Sequence, residues 1–265
     1  MPLRLAERCL QTPSTMLKSN VIKKALSILF ALTVWQIAAM IVGIDFLFPT
    51  PVAVVERLFT IWREDGFATS VTHSFIRISL GFFLALFLGV FLAILAGRFS
   101  VIEELLWPFM LTIKSVPVAS FIVLALMWLT SRQLSTFISF LMVLPVIYTN
   151  ILGGIKNADK GMDRMADIFR IPWGRRILYI WIPRIKPFLL SACSLALGLS
   201  WKAGIAAELI GVPSGSLGEM LYYSKIHFNT LDLFAWTLII VFISVTFEKL
   251  ITYILKLIFR RIEKI

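Results

Sequence analysis

Charged residues are scarce in this sequence. Asp, Glu, Lys and Arg make up 15% of its 265 residues, whereas an ordinary soluble domain contains about 25%. Hydrophobic residues reach 59%, and the mean hydropathy is +0.89. A soluble domain of this size needs a polar surface, which this composition does not supply. The sequence therefore predicts an integral membrane protein in a lipid bilayer.

Residue types that catalyse reactions or bind metals are also rare. The chain has two cysteines, Cys9 and Cys193, and two histidines, His73 and His227. The cysteines lie in a polar stretch and in an apolar run, so no disulfide framework is indicated. The histidines lack metal-ligand spacing, and no apolar stretch holds a pair of carboxylates. We expect no catalytic, cofactor-binding or metal-binding residue, which disfavours a membrane-embedded enzyme.

A nucleotide-binding loop is missing as well. No segment of the form Gly-x-x-x-x-Gly-Lys-Ser/Thr occurs in the chain. Backbone N–H groups of that segment cradle the phosphates of ATP. We therefore expect that this chain does not bind ATP in that way.

Six apolar stretches are long enough to cross a bilayer, which takes about 20 residues. Lys23 and Lys24 precede the first stretch, which is too long for the core of a cleavable signal peptide and predicts a retained anchor. The sequence predicts an all-α integral membrane protein with about six transmembrane helices. The stretches cover residues 25–44, 78–97, 105–129, 134–155, 187–209 and 233–255.

The net charge of +11 is distributed unevenly along the chain. Alone it would be compatible with nucleic acid binding, but positive residues also collect in the cytoplasmic loops of membrane proteins. With both termini inside, 19 Lys and Arg residues are cytoplasmic and four are external. The distribution predicts cytoplasmic N and C termini and no nucleic acid partner.

We divide the chain into a cytoplasmic tail at 1–22, a six-helix membrane domain at 23–258 and a second cytoplasmic tail at 259–265. The domain includes a basic cytoplasmic segment at 156–186, between the fourth and fifth spans. The start of the chain stays open between Met1 and Met16, because the residues before Met16 have little periodic character.

Two local patterns predict further structure. In the external loop, Thr50 can cap a short amphipathic helix that has Pro51 at its first position. In the second span, small residues recur at every fourth position and form one stripe, which allows another helix to pack closely. The residues of this stripe are Gly81, Ala85, Gly89, Ala93 and Gly97.

The basic segment at 156–186 contains a short amphipathic pattern. Its eight basic and three acidic residues make it too polar to span the membrane. Pro172 and Gly174 are predicted to end the helix. Such a helix either lies on the membrane surface or docks onto a soluble partner. The apolar side is formed by Met162, Met165, Ala166, Phe169 and Trp173, and the opposite side by Asp163, Asp167 and Arg170.

The same segment resembles a loop in the permease subunits of binding-protein-dependent ABC importers. That loop has a Glu-Ala-Ala start, a glycine four residues after the last alanine, and an Ile-x-Leu-Pro ending. Here Ala166 takes the second alanine, and Ile180, Ile182 and Pro183 form the ending. Arg164 and Met165 replace the glutamate and the first alanine, and Arg170 replaces the glycine.

Other stretches resemble the sulfonate, taurine and nitrate permeases of this family, in the same order along the chain. A proline and a glycine expected in the third span of such permeases are absent. The resemblance covers about residues 45–255. The matching stretches are His73-Ser74-Phe75-Ile76-Arg77 with Gly81-Phe82, Lys114-Ser115-Val116-Pro117 with Trp128, Leu197-Gly198-Leu199-Ser200-Trp201, and Ala207-Glu208-Leu209-Ile210-Gly211.

The resemblance implies a cell-membrane assembly with a second permease, cytoplasmic ATPase subunits that use ATP and Mg²⁺, and an external solute-binding protein. The second permease is either a copy of this chain or a different one. The substrate is a sulfonate- or nitrate-like anion, or a heterocyclic vitamin precursor; an ATP-independent secondary transporter is the alternative. Residues expected to couple to the ATPase are Arg164, Met165, Ala166, Phe169, Arg170 and Pro183.

Ionisable residues inside membrane spans usually face protein or water and mark functional sites. Arg77 and Glu208 fall near the outer ends of their spans and are predicted to pair, either as a structural ion pair or as a substrate contact. Lys202 and the adjacent Trp201 are the candidates for lining the transport pathway. Lys114 is expected to extend its side chain toward the cytoplasmic surface.

Overall fold

The computed structural model describes residues 13–43, 46–157 and 160–262. In these ranges every regular element is a helix and no strand occurs, which confirms the all-α prediction. The helices are α1 Pro13–Val42, α2 Pro51–Ile61, α3 Phe67–Arg98, α4 Ser100–Ser115, α5 Val118–Ala125, α6 Ser131–Lys156, α7 Lys160–Ile168, α8 Trp173–Arg176, α9 Ile182–Gly211, α10 Leu217–Ile226 and α11 Thr230–Ile262. A π-helical turn, Ile177–Trp181, joins α8 to α9.

Five helices are long and apolar enough to cross a membrane, and the pair α4 and α5 makes up to six. The predicted third span at 105–129 is not one straight helix, because its two halves meet at an angle of 102°. Val116 has an extended backbone (φ −82°, ψ 134°), as expected before Pro117, whose ring disfavours the helical conformation of the preceding residue. Pro117 thus marks the break between α4 and α5, whereas Pro108 lies within α4.

Several helices extend beyond their hydropathy limits. The second span was predicted at 78–97, yet α3 begins at Phe67. Hydropathy misses its first turns because they contain Ser70 and Ser74, which are polar but fully buried. Helix α1 starts inside the predicted tail at 1–22, and α11 continues into the tail at 259–265. Residues 1–12, which include Cys9, and Ile44 lie outside the described ranges.

The core consists of α3, α6 and α9. The small-residue stripe of α3 faces α6, and an added Cβ at Gly81 would lie 2.4 Å from the carbonyl oxygen of Thr136. Ala85 and Ala93 are fully buried in the same stripe, and at Gly97 an added Cβ would meet Ile155. Lipid does not drive apolar helices together as water does, so close backbone contact supplies the packing energy.

Helices α1 and α11 flank this core, with only 6% of the apolar stretch of each buried, and Ala235, Trp236 and Phe247 of α11 pack into it. Helix α2 is held against α11 by Arg57, which forms ion pairs with Asp232 of α11 and with Glu64. The predicted start of α2 is confirmed: Thr50 accepts the N–H of Ala53 at 3.3 Å, and Pro51 is the first residue of the helix.

The two ends of the helix bundle differ in their short elements. We call the end that carries α2, α10 and the beginning of α6 the α10 end. The opposite end, with α7, α8 and the last residues of α6, is the α7 end. An ion pair between Lys156 of α6 and Glu103 of α4, at 2.6 Å, closes the α7 end.

Candidate functional site

A buried polar cluster lies at the α10 end, and we call it the Glu208 cluster. Its members are Glu208, Ser74, Arg77, Leu217 and Gly218. The Glu208 side chain is fully buried, and its Oε2 accepts a hydrogen bond from Ser74 Oγ at 2.6 Å. Ser74 Oγ in turn accepts the backbone N–H of Leu217 at 2.9 Å. The cluster therefore joins α3, α9 and the first turn of α10.

Arg77 and Glu208, which the sequence marked as a pair, are 4.0 Å apart between Nη1 and Oε1. Arg77 is 15% exposed, so solvent screens this interaction only weakly. Glu208 Oε2 also accepts the N–H of Gly218 at 3.3 Å, and the N-terminal end of a helix favours a negative charge. Glu208 is thus compensated by a cation, a hydroxyl and a helix end.

Gly218 is required for this arrangement. An added Cβ at this position would lie 2.3 Å from Glu208 Cβ, so the start of α10 rests directly on α9. Ser216 caps α10 by accepting the N–H of Glu219 at 3.0 Å. The sequence pattern does not indicate that Ser74, Leu217 or Gly218 belongs to the cluster. In the sequence, Ser216 and Gly218 are typical of the start of a helix. This pattern does not show which helix Gly218 contacts.

Lys202 and Trp201 face different surroundings, although they are adjacent in α9. Trp201 is 1% exposed, and its ring packs against those of Phe75 at 6.1 Å and Phe247 at 6.2 Å. Trp201 is therefore a core residue, and its predicted position along a pathway is wrong. The Lys202 side chain lies on a different, exposed face of α9, with Ser191 and Leu195 at helical spacing.

Lys114 lies in the last turn of α4, directly before the break. Its Nζ donates a hydrogen bond to Thr149 Oγ1 of α6 at 3.1 Å. Thr149 is seven residues from the end of α6 at Lys156, which is about 10 Å along a helix. The Lys114 side chain is exposed, and its ammonium contacts the neighbouring helix about two turns before the end of that helix. Its extension toward the cytoplasmic surface stays a prediction.

The described charges inside the bundle fall into two groups. Arg77 and Glu208 face each other, and Glu248 of α11 accepts a hydrogen bond from Ser194 Oγ of α9 at 2.7 Å. Lys114 and Lys202 form no ion pair with any carboxylate among the described residues. An ammonium in a membrane span without a counter-charge is costly, and such residues commonly face water or a ligand.

The basic segment forms α7 as predicted, but the helix ends earlier, at Ile168. Arg170 has a left-handed backbone with φ 48°. The N–H of Ile171 bonds to Ala166 O at 3.0 Å, and that of Arg170 bonds to Asp167 O at 3.1 Å. This pair of bonds is a Schellman ending, whose left-handed position glycine usually occupies. Arg170 therefore occupies a left-handed position that favours glycine, and the importer loop has its glycine at the same position.

The family of this chain follows from a match to a known family over most of its length. Residues 65–264 match the family described as the binding-protein-dependent transport system inner membrane component, so the match covers most of the chain and all of α3 to α11. The chain belongs to this family. It is an ABC importer permease and a multi-pass protein of the inner membrane.

Curated relatives are transport permeases. The permease is 28% identical over 197 residues to the taurine transport system permease protein TauC of Escherichia coli, covering 72% of this chain and 71% of the relative. It is 31% identical over 184 residues to the aliphatic sulfonates transport permease SsuC of the same organism, covering 69% and 70%. The nitrate import permease NrtB of Synechococcus elongatus is 24% identical over 195 residues, covering 69% and 70%.

The exposed surface of α7 differs in part from the predicted contact residues of the permease. Met165 and Phe169 are 58% and 70% exposed. Ala166 is only 1% exposed, so it packs within the chain, and its predicted place in an external contact is wrong. Ile168, which the sequence analysis did not select, is 77% exposed. The side chains of Asp163 and Trp173 lie outside the described part.

The remaining predicted coupling residues of the permease surround this surface. Arg164 and Arg170 are exposed. Pro183 lies in the first turn of α9, where proline needs no hydrogen-bond partner for its nitrogen. Across the turn that follows α7, Arg176 forms an ion pair with Asp167. The loop is thus a folded unit that leads directly into α9.

Proposed function

We propose that the permease forms, with a second copy of itself, the membrane pathway of an ATP-driven importer for a small sulfonate- or nitrate-like anion. An external solute-binding protein delivers the anion. The observation that carries the proposal is Lys202, an exposed cation inside α9 without a carboxylate partner among the described residues. The names of the taurine, sulfonate and nitrate relatives point to the same substrate class.

The face of α9 around Lys202 has room for a second chain or a substrate. Gly198 precedes Lys202 by one turn, and an added Cβ there would meet no described atom within 4 Å. Ser191 and Leu195 continue the exposed face toward the α7 end. In a membrane, an open face with small residues favours close helix contact. Two copies facing each other across α9 would place two Lys202 side chains along one pathway.

The α7 end is assigned to the cytoplasm by the distribution of Lys and Arg. There, the exposed side chains of Met165, Ile168 and Phe169 would enter a groove on the ATPase. ATP and Mg²⁺ would bind to that partner, since this chain lacks a phosphate loop. Arg164 and Arg170 at the rim would increase the association rate more than the affinity.

Uptake into cells tests the substrate class. Cells with the complete transporter are expected to accumulate labelled taurine or nitrate, and uptake should stop when the phosphate-loop lysine of the partner ATPase is replaced. Lys202→Met should lower uptake at least tenfold, whereas Lys202→Arg should retain most of it. Uptake of only neutral or cationic heterocycles, or uptake without the ATPase, would overturn the proposal.

Co-purification tests the cytoplasmic contact. Phe169→Asp should reduce the amount of ATPase that co-purifies with the tagged permease, because it places a charge in an apolar contact. Glu104→Lys, a charge change at an exposed residue of α4, is the control. Undiminished recovery of the ATPase with Phe169→Asp would contradict docking through α7.

A further inference from the structure

We propose that Lys114 and Thr149 form a second anion-binding position in the pathway, on the α7 side of Lys202. This inference rests on the proposed function, because it assumes an anionic substrate. Lys114 belongs to a different helix from Lys202, and it contacts α6 at Thr149. The two lysines would receive the anion one after the other during its passage.

The depth of Lys202 follows from its neighbours on α6. Ser139 Oγ donates a hydrogen bond to the carbonyl oxygen of Ser200 at 3.0 Å, and an added Cβ at Gly204 would lie 2.6 Å from Ser139 Oγ. Lys202 lies between these two residues of α9. It is therefore level with Ser139.

The depth of Lys114 follows from its bond to Thr149. Ser139 and Thr149 lie on either side of the middle of α6. Their ten-residue separation corresponds to about 15 Å along the helix axis. One lysine therefore lies in each half of the bundle, and an anion could not contact both ammonium groups through a single oxygen.

The two lysines border the same packed group of residues. Ala203, next to Lys202, is part of a buried cluster with Ile122, Ile138 and Met142, and Ile113, next to Lys114, packs against that cluster. The side chains of both lysines are exposed. A sequence neighbour of each lysine thus belongs to, or packs against, one apolar cluster.

The chemistry of the Lys114 contact leaves capacity for an anion. Thr149 Oγ1 donates its own hydrogen to Pro145 O at 2.7 Å and can only accept from Lys114. An ammonium has three N–H donors, so two remain beyond the bond to Thr149. Among the described residues no carboxylate neutralises the charge. A hydroxyl that orients the ammonium without neutralising it fits a transient anion site.

Cysteine accessibility tests the location independently of the substrate. In the assembled complex, with Cys9→Ser and Cys193→Ala as background, Lys114→Cys should react with a water-soluble anionic thiosulfonate reagent. Phe87→Cys is the control, because Phe87 is 71% exposed on the apolar face of α3 and should stay unreactive in lipid. Failure of Lys114→Cys to react would overturn the inference, even if taurine or nitrate is transported.

Uptake of labelled taurine and nitrate tests the role. Lys114→Met should lower uptake at least tenfold, and Lys114→Arg should restore at least a third of it. Lys256→Met removes an exposed lysine of α11 that lies beyond the predicted sixth span and should leave uptake unchanged. Co-purification of the ATPase shows that each variant assembles. If the wild-type transporter takes up neither anion, the proposed function is wrong. If Lys114→Met retains full uptake while Lys202→Met loses it, the second anion position is wrong and the proposed function stands.

Discussion

The two ends of the helix bundle differ in the residue found where glycine is favoured and in how far charged and apolar side chains are buried. At the α10 end, Gly218 stands where no side chain fits, and the Glu208 carboxylate has a partner for its charge. At the α7 end, Arg170 stands where the backbone demands glycine, and large apolar side chains of α7 are exposed. The described partners of Glu208 all belong to this chain, whereas the exposed apolar side chains of α7 form the surface that we propose to dock onto the ATPase. We therefore assign a structural role to the Glu208 cluster and a docking role to the exposed side chains of α7.

The two charged residues of α9 that lie inside the predicted fifth span also differ in burial and in partners. Glu208 and Lys202 are both charges in α9, but Glu208 is buried and compensated while Lys202 is exposed and uncompensated. Burial with a partner indicates a structural role, since an unpaired buried charge destabilises the fold. Exposure without a partner indicates contact with water or a ligand. The following changes test that division.

Glu208→Ala is expected to have the largest effect. It leaves the largely buried Arg77 without its carboxylate, and removing one partner of a buried pair costs about 3–5 kcal/mol. The midpoint of thermal unfolding in detergent should fall sharply. Arg77→Met combined with Glu208→Leu should recover much of the loss, because no charge is then left unpaired. An unchanged midpoint for Glu208→Ala would remove the structural role of the cluster.

Gly218→Ala should destabilise the same end by about 1–3 kcal/mol, as overpacking in a closely packed region does. Its Cβ has no room beside Glu208. Gly153→Ala is the matched control, because an added Cβ there meets no described atom within 4 Å. The same thermal measurement applies, and the control should be neutral or slightly stabilising. Equal effects of the two changes would contradict the close contact between α10 and α9.

Lys202→Met should leave the unfolding midpoint unchanged but lower anion uptake at least tenfold, equivalent to about 1.4 kcal/mol in rate. The reason is that Lys202 makes no described ion pair whose loss could affect stability. Parallel measurements of unfolding and taurine uptake decide the point. A clear loss of stability with normal uptake would reverse the roles assigned to Lys202 and Glu208.

Arg170→Gly is expected to have the smallest effect, a stabilisation of about 1 kcal/mol, because a side chain with left-handed backbone geometry is strained. Hydrogen exchange at the amides that end α7 should slow. Arg164→Gly, inside α7, should have the opposite sign, since glycine in a helix interior costs about 1 kcal/mol. Faster exchange in Arg170→Gly would show that the arginine side chain stabilises the turn.

Features that depend on neighbouring residues along the chain were predictable. Hydropathy identified the spans, and Thr50 with Pro51 identified the start of α2. The frame around Ala166 and Pro183 identified the family, even with arginine in place of glycine at 170. In each case the signal lies within one helix or one loop, where chain geometry alone fixes the relation between residues.

The sequence by itself thus determined a helical membrane protein, its approximate spans and its membership of the permease family. The tertiary structure alone decided that Trp201 lies in the core, that Ala166 is buried, and that Lys114 contacts Thr149. These facts depend on how each helix is rotated and at what depth it meets its neighbour. Hydropathy is nearly the same on all sides of a span that contacts lipid and protein, so the sequence pattern does not specify that rotation.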